Sequence, residues 1–309
     1  MRLCYFDDFR LGVVVGDSVV DVAAVVADIP HTGPGDLMNG LIARFEAYRA
    51  RLQAAAEAGP AQPLAGLRLR PPLPRPGNIV CMAVNYMEDG TRAAPAPLNA
   101  FHKTPGAIIG DGDTMVLPDV PATIFEGEAE LAVVIGAPAA RVAAADAMTH
   151  VFGYVNFIDG SARGLPPAGN VFFQMKSRDG FAPIGPFLVT ADEVADPHRL
   201  SVRLWVNGAL KQDFGTDDMA HRIPRCIEWV SAIQTLQPGD ILATGTNHRG
   251  LSAFMDGDVV ELEVAGLGRL HIFVHDQLRR VWLRETRLDR QRQGFETPTP
   301  QVAGPYARA

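Results

Sequence analysis

Apolar residues along this chain fall mostly into short runs broken by turn signals, with helical spacing in only a few places. Near the start, Leu11-Gly12-Val13-Val14-Val15 and Ser18-Val19-Val20-Asp21-Val22 flank Gly16-Asp17, which predicts a hairpin. Leu37, Leu41, Phe45, Tyr48 and Leu52 recur at spacings of three and four, predicting one amphipathic helix that Gly59-Pro60 ends. Residues 60–76 are rich in proline and include Pro71-Pro72-Leu73-Pro74-Arg75-Pro76. Proline donates nothing to a ladder and disfavours helix before it, so this stretch reads as a stiff linker and a domain boundary.

Beyond Gly77 the pattern turns to strands. Apolar or β-branched runs cover 79–84, 107–109, 129–135, 151–157, 200–206, 240–244, 259–264 and 270–274, bounded by turns such as Asn207-Gly208 and Asp256-Gly257-Asp258. Helical spacing is confined to segments near 140–150 and 223–236. The chain is therefore expected to be α+β and β-rich. A small N-terminal domain over 1–70 precedes a larger one over 77–285. The tail over 286–309, rich in Arg, Gln, Pro and Thr, is expected to be extended or disordered unless a partner holds it.

Composition narrows the function. The chain has 309 residues, 47% of them hydrophobic and 20% charged, enough to bury a large core. Lysine and arginine number 28 against 35 acidic residues, for a net charge of -7. An acidic balance argues against nucleic acid as a partner. Nothing reaches the ~18 unbroken apolar residues of a membrane span, so no membrane partner is expected. Asp7, Asp8 and Arg10 interrupt the apolar residues that a signal peptide would need. Cys4, Cys81 and Cys226 are odd in number and far apart, which reads as three buried thiols in a reducing, cytoplasmic setting.

The most informative segment is Phe125-Glu126-Gly127-Glu128-Ala129-Glu130-Leu131-Ala132-Val133-Val134-Ile135-Gly136. In a strand, residues i and i+2 share a face about 6.5 Å apart, so Glu128 and Glu130 project together with Ala132 and Val134 behind them. On an exposed edge such a pair would be ordinary solvated charge. At the mouth of a buried strand it needs a proton or a cation, and magnesium, manganese or calcium suits oxygen ligands. The apolar run from Val151 ends in Asp159-Gly160-Ser161-Ala162-Arg163, whose acid is suited to complete a three-carboxylate set. Lys176, after Phe172-Phe173-Gln174-Met175, is either a surface lysine just beyond an apolar strand or a cation that stabilises a developing enolate.

These segments, with Pro183-Ile184-Gly185-Pro186, Val206-Asn207-Gly208, Leu236-Gln237-Pro238-Gly239-Asp240 and Thr244-Gly245-Thr246, resemble the fumarylacetoacetate hydrolase family in order and spacing. The resemblance runs from about Gly77 to Val274. It implies a mixed β-roll catalytic domain beside a small N-terminal α/β domain, usually as a homodimer. It also implies Mg2+ or Mn2+ held by Glu128, Glu130 and Asp159, and a small 2-oxo or dioxo acid as substrate. Lys176 is implied near the substrate, with Tyr86, Arg163, Thr246 and His102 as further substrate contacts.

One segment departs from the family pattern. Where relatives carry Asn-Tyr, a histidine three residues on and a glutamate three further, this chain has Asn85-Tyr86-Met87-Glu88-Asp89-Gly90-Thr91-Arg92. Asp89 stands at the histidine position and Arg92 at the glutamate position. Asp89, Glu88 or a histidine from elsewhere is left to move protons, with His248 and His102 the candidates; Glu88 also stands where larger relatives place a fourth metal-ligating acid. Gly164-Leu165-Pro166-Pro167 likewise replaces an acid and a glutamine that touch substrate in many relatives.

The expected function is metal-dependent hydrolysis of a C–C bond in a 2,4-dioxo acid of the kind met in aromatic catabolism. The alternatives are an isomerase, hydratase or decarboxylase of the same family, or a homologue that binds metal or a 2-oxo acid without turnover.

Overall fold

A computed structural model describes residues 1–167, 169, 172–295 and 299–307. The first part of the chain forms β1 (Arg2–Phe6), β2 (Arg10–Val15), β3 (Ser18–Asp21), α1 (Pro34–Ile42), α2 (Phe45–Ala58), β4 (Ala61–Pro63) and β5 (Leu69–Arg70). There follow β6 (Ile79–Met82), β7 (Ala100–Lys103), β8 (Ile108–Ile109), β9 (Thr114–Val116), β10 (Ile124–Ile135), β11 (Val151–Arg163), α3 (Phe172–Lys176) and β12 (Ala182–Thr190). The rest comprises β13 (Ser201–Val206), β14 (Ala209–Gly215), α4 (Ile223–Ile233), β15 (Ile241–Ala243), β16 (Val259–Val264) and β17 (Arg269–His275). The chain closes with β18 (Val281–Trp282), α5 (Arg287–Arg292) and β19 (Gln301–Ala303). No helix among the described residues is long and apolar enough to cross a membrane.

The large mixed sheet runs in the order β4-β3-β2-β1-β12-β11-β10-β15-β6-β7, with β5 on β1 and β8 on β12. A second sheet runs β14-β13-β16-β17-β9. This is the β-rich α+β fold expected from the strand pattern. Odd and even positions of β10 explain the layering. Ala129, Leu131, Val133 and Ile135 join the core that includes Leu204, Leu262 and Ile272 of the second sheet. Ala132 and Val134 join the core formed with Leu37, Leu41, Phe45 and Leu52 of the N-terminal helices. Both faces are apolar because both are covered.

Four expectations about local structure change. The helix expected through Leu37 and Leu52 is broken at Ala43 and Arg44 into α1 and α2, although its apolar stripe is buried as the spacing required. Helical spacing near 140–150 gives only a short 3-10 turn at Ala147–His150, because the backbone before it is bonded elsewhere, the Ala139 N–H to the Leu236 carbonyl and the Arg141 N–H to the Ser231 carbonyl. The proline-rich linker is not free: β4 pairs with β3, and β5 pairs with β1, because edge strands tolerate proline. Within the tail, Thr286 and Asp289 form a capping box that starts α5, and β19 pairs with β18. Residues 296–298, 308 and 309 of that tail lie outside the described residues. The three cysteines are buried and free.

One buried polar side chain ties the two sheets together. Asn156 on β11 is 0% exposed; its amide donates to the Gly185 carbonyl at 2.8 Å and the Gly268 carbonyl at 3.0 Å. Its carbonyl accepts the Val264 N–H at 2.8 Å. An unpaired buried group costs about 1–3 kcal/mol. Asn156→Ala is expected to lower stability by about 2–4 kcal/mol, seen as a lower urea midpoint with an unchanged slope; a shift under 1 kcal/mol would refute the role given to this clamp.

Candidate metal and proton-transfer site

The site is laid down by strand register. Glu128 on β10 lies directly opposite Asp159 on β11, so the two share a face, and Glu130 stands two residues along on that same face. Oxygens of the three carboxylates all lie within 4.8 Å of one another, and all three residues are buried. Gly127 faces the opposite side, where a Cβ would come within 2.4 Å of the Phe254 ring, so Phe254 packs directly against the strand that carries the acids.

Two lysines offset part of this charge. Lys176 Nζ donates to Glu128 Oε1 at 2.7 Å and to Asp159 Oδ2 at 2.5 Å. Lys103 Nζ donates to Asp159 Oδ1 at 2.6 Å, to the Gly160 carbonyl at 3.0 Å and to the Lys176 carbonyl. Lys103 is a site residue that the sequence reading passed over; its signal was a lysine two residues after Phe101. Lys176 sits at the end of helix α3 rather than after a strand, and it is 2% exposed, not a surface lysine.

The third acid is not balanced. Glu130 Oε2 accepts the Gly245 N–H at 2.7 Å, while its Oε1 is buried without a partner. Burial first, then the charges of Asp159 and Glu128, push the Glu130 carboxyl well above the usual carboxylate range. Glu128 goes the other way: burial would raise it, but Lys176 and Arg163 hold it well below that range. An unpaired buried oxygen aimed at two further carboxylates fits a hard divalent cation, whose ligands at ~2.1–2.5 Å lie up to about 5 Å apart.

Around this floor, the TGT loop and the strained turn after Tyr86 carry the remaining groups. Gly245 has φ +89, and Asn85 Cβ would lie 3.1 Å from any Cβ placed there. Asn85 in turn donates to the Thr244 carbonyl at 2.9 Å, fixing the loop. Thr246 Oγ1 donates to the Ala129 carbonyl and accepts from Gln212, so its hydroxyl serves the loop itself. Tyr86 is 1% exposed, packs edge-on against Phe214, and leaves its hydroxyl without a hydrogen-bond partner.

Glu88 and Asp89 both adopt left-handed backbone, φ 56 and 54, at a cost of about 1–3 kcal/mol each for such residues. That turn sets Glu88 Oε1 2.8 Å from His248 Nδ1 and 3.0 Å from Arg92. Burial would raise the Glu88 carboxyl, but His248 and Arg92 bring it down to about 2. An ionised Glu88 can only accept, so the proton of this bond sits on His248 Nδ1. His248 lies near enough to Glu128 for its charge to lower that carboxyl.

The structure does not gather every expected residue. Asp89 turns outward, half exposed, and pairs with Arg249 at 2.7 Å. His102 also points away, since alternation along β7 sends Lys103 to the acids and His102 to Gln234 at 3.1 Å. Arg163 is brought in: its Nε donates to Glu126 Oε2 at 2.6 Å and its terminal nitrogen to Glu128. Sequence reading missed Glu126, which is 1% exposed and also takes Arg287 from the tail.

Fold and site together define a divalent-cation centre of three carboxylates on a mixed β-roll. Residues 78–275 match the model of the fumarylacetoacetate hydrolase C-terminal domain, and the chain belongs to that family. A maleylpyruvate hydrolase from Sphingobium sp. SYK-6, solved with manganese(II) and pyruvate, is 38% identical with a TM-score of 0.81, over 89% of this chain and 99% of that one. An oxaloacetate tautomerase from Bos taurus is 36% identical over 82% of each chain. A bifunctional isomerase/decarboxylase of 4-hydroxyphenylacetate degradation from Salmonella dublin is 40% identical over 64% of this chain, which spans only 47% of that enzyme's length.

The unbalanced acid makes a signed prediction. Glu130 holds its proton more tightly folded than unfolded, so its stabilising contribution is complete below the ordinary carboxylate pKa and is lost as pH rises toward the folded value. Glu130→Gln should therefore melt higher than the wild type at pH 8 without divalent metal, and gain nothing when Mn2+ is added. The wild type should gain several degrees with Mn2+. A variant that still responds to Mn2+, or that melts lower without it, would remove Glu130 from the ligand set.

Proposed function

We propose that this protein is a Mg2+- or Mn2+-dependent hydrolase that cleaves the C–C bond of a 2,4-dioxo acid, with an acylpyruvate of the maleylpyruvate type as substrate. Glu128, Glu130 and Asp159 hold the cation, and their fit to it rests on the unpaired Glu130 oxygen. The observation that carries hydrolysis is the Glu88–His248 pair beside that triad, because hydrolysis needs a base for water. Likeness to a maleylpyruvate hydrolase bound to manganese(II) and pyruvate supports the same substrate class.

When bound, the cation polarises the substrate's oxygens and offsets the negative charge that builds up as the C–C bond breaks. His248 Nε2 takes a proton from water as its oxygen attacks the distal keto carbon, while ionised Glu88 holds Nδ1–H and stabilises the imidazolium. The bond between that carbon and the methylene then breaks, leaving a carboxylic acid and the enolate of pyruvate. His248 returns the proton to the methylene carbon, completing pyruvate. Lys176, buried against Glu128 and Asp159, adds positive charge where the enolate develops. Arg163 offers a guanidinium edge to the substrate carboxylate. Tyr86 and Thr246, both buried, brace the segments beside the acids; Asp89 and His102 have no part in this reading.

The 36%-identical oxaloacetate tautomerase supports a second reading. The Glu88–His248 pair is also suited to shuttle a proton between carbon and oxygen of a 2-oxo acid, without attack by water. Three buried free thiols support a reducing, cytoplasmic setting. A second copy of the chain is the expected partner, which sedimentation equilibrium tests.

Chelator-stripped protein incubated with a panel of acylpyruvates should release pyruvate only after Mn2+ is restored, and Asp159→Asn should abolish release. His248→Asn should reduce kcat by about 10²–10⁴-fold with metal binding intact. Metal-dependent enol–keto conversion of oxaloacetate without pyruvate release from any acylpyruvate would replace the hydrolase with the tautomerase.

A further inference from the structure

The C-terminal segment reaches the site through one side chain. Trp282 Nε1 donates to the Thr123 carbonyl at 2.7 Å, and Arg284 grips Asp258 through both terminal nitrogens at 2.6 and 2.7 Å. The Arg287 N–H then donates to the Leu251 carbonyl at 2.9 Å, and the Thr286 capping box fixes the first turn of α5. A strap anchored on both sides thus delivers the Arg287 guanidinium to Glu126. Its Nε lies 3.1 Å from Oε1 and its terminal nitrogen 2.5 Å from Oε2.

Glu126 is buried two residues before Glu128 on the same face of β10, so it is the next acid along from the proposed ligand set. It is held by two arginines, and they do different things. Arg287 takes both oxygens. Arg163 takes only Oε2, through Nε, and sends its terminal nitrogen to Glu128. A lone buried carboxylate facing a single guanidinium favours the two-point pairing of parallel N–H donors. With Arg287 already on both oxygens, Arg163 is limited to one, and its outer edge stays turned toward the site.

We propose that Arg287 is a positioning residue: by occupying Glu126 it keeps the Arg163 guanidinium directed at the catalytic centre, where it receives the carboxylate of a 2-oxo acid. The identity of that anion rests on the hydrolase reading; the relay from Arg287 through Glu126 to Arg163 rests on the contacts themselves. The tail, on this view, is part of the substrate-binding apparatus. Without Arg287, Glu126 draws Arg163 into a two-point pair and away from the anion.

The test uses full-length, Mn2+-loaded protein and oxalate, an inert dianion with the 1,2-dioxygen pattern of a 2-oxo acid. Oxalate affinity is measured by calorimetry and Mn2+ affinity by the electron paramagnetic resonance of free Mn2+. Arg287→Ala is expected to weaken oxalate binding about tenfold without weakening Mn2+ binding, and Arg287→Lys should recover at least half of the loss on a logarithmic scale. Arg284→Ala controls for loosening of the strap and should lower the melting temperature while leaving oxalate affinity within twofold. In a Glu126→Gln background, Arg287→Ala should cost no further oxalate affinity, because the competing charge is gone.

Oxalate affinity within twofold of wild type in Arg287→Ala overturns the proposal. So does a parallel loss of Mn2+ and oxalate binding, an equal effect of Arg284→Ala, or failure of the loaded wild type to bind oxalate. If the wild type binds oxalate and the Arg287 pattern holds, but no acylpyruvate yields pyruvate, the hydrolase reading fails and the positioning role stands.

Discussion

Three carboxylates buried on one face of two paired strands repel one another, and most of what surrounds them answers that repulsion. Register makes the conflict unavoidable: Glu128 faces Asp159 across the ladder, and Glu130 follows two residues on. Lys176 and Lys103 approach from a helix end and from the edge strand β7, and both settle on Asp159. Between them they balance two acids. The third keeps a bare oxygen and a raised pKa. A centre that was only structural would gain by replacing such a set with apolar residues, since a buried charge without a partner costs more than any packing it permits. Its persistence is explained by a cation.

The same electrostatic constraint extends outward. Glu126 lies on the face of β10 that carries Glu128 and Glu130, yet it takes no part in the triad because Arg163 and Arg287 engage it. Burial would raise its pKa, and the two guanidiniums reverse that shift. Arg163 is then shared between a purely structural acid and a ligand acid, so the charge of the back wall and the charge of the reaction centre are set by one side chain. The tail, remote in sequence, becomes an electrostatic component of the site.

Much of this was legible in the sequence because it is periodic or local. The two-residue repeat of Glu128 and Glu130 fixed their common face, and the apolar run into Asp159 brought the third acid, although β11 continues past it to Arg163. The hairpin at Gly16-Asp17, the apolar stripe of the N-terminal helices and the strands beyond Gly77 were likewise carried by spacing. Other parts depend on approach in three dimensions. Lys103 lies in a segment whose spacing predicted no strand, and only the pairing of β6 with β7 aims it at Asp159. The break at Ala43 and Arg44 has no proline or glycine to announce it. Pairing of β4 and β5 with the N-terminal strands is a tertiary effect that overrides what proline does locally. The capping box at Thr286 was readable from Thr286 and Asp289, but composition concealed it.

The departure after Tyr86 shows why position in a motif and position in space must be kept apart. A histidine held by a carboxylate needs only an Nδ1–H donor, an ionised acceptor and a free Nε2 near the acids. Here the acceptor comes from Glu88, one residue before the usual histidine position, and the imidazole from His248 in the loop after Thr244-Gly245-Thr246. The exchange is made possible by strain: two consecutive left-handed residues swing Glu88 inward and Asp89 outward, and the Asp89 N–H is caught by Asp218 at 3.2 Å. Asn247 ties His248's own loop to the same Asp218. One acid thus braces both halves of the pair, which lets two separate loops present a carboxylate–imidazole pair that neither segment encodes alone.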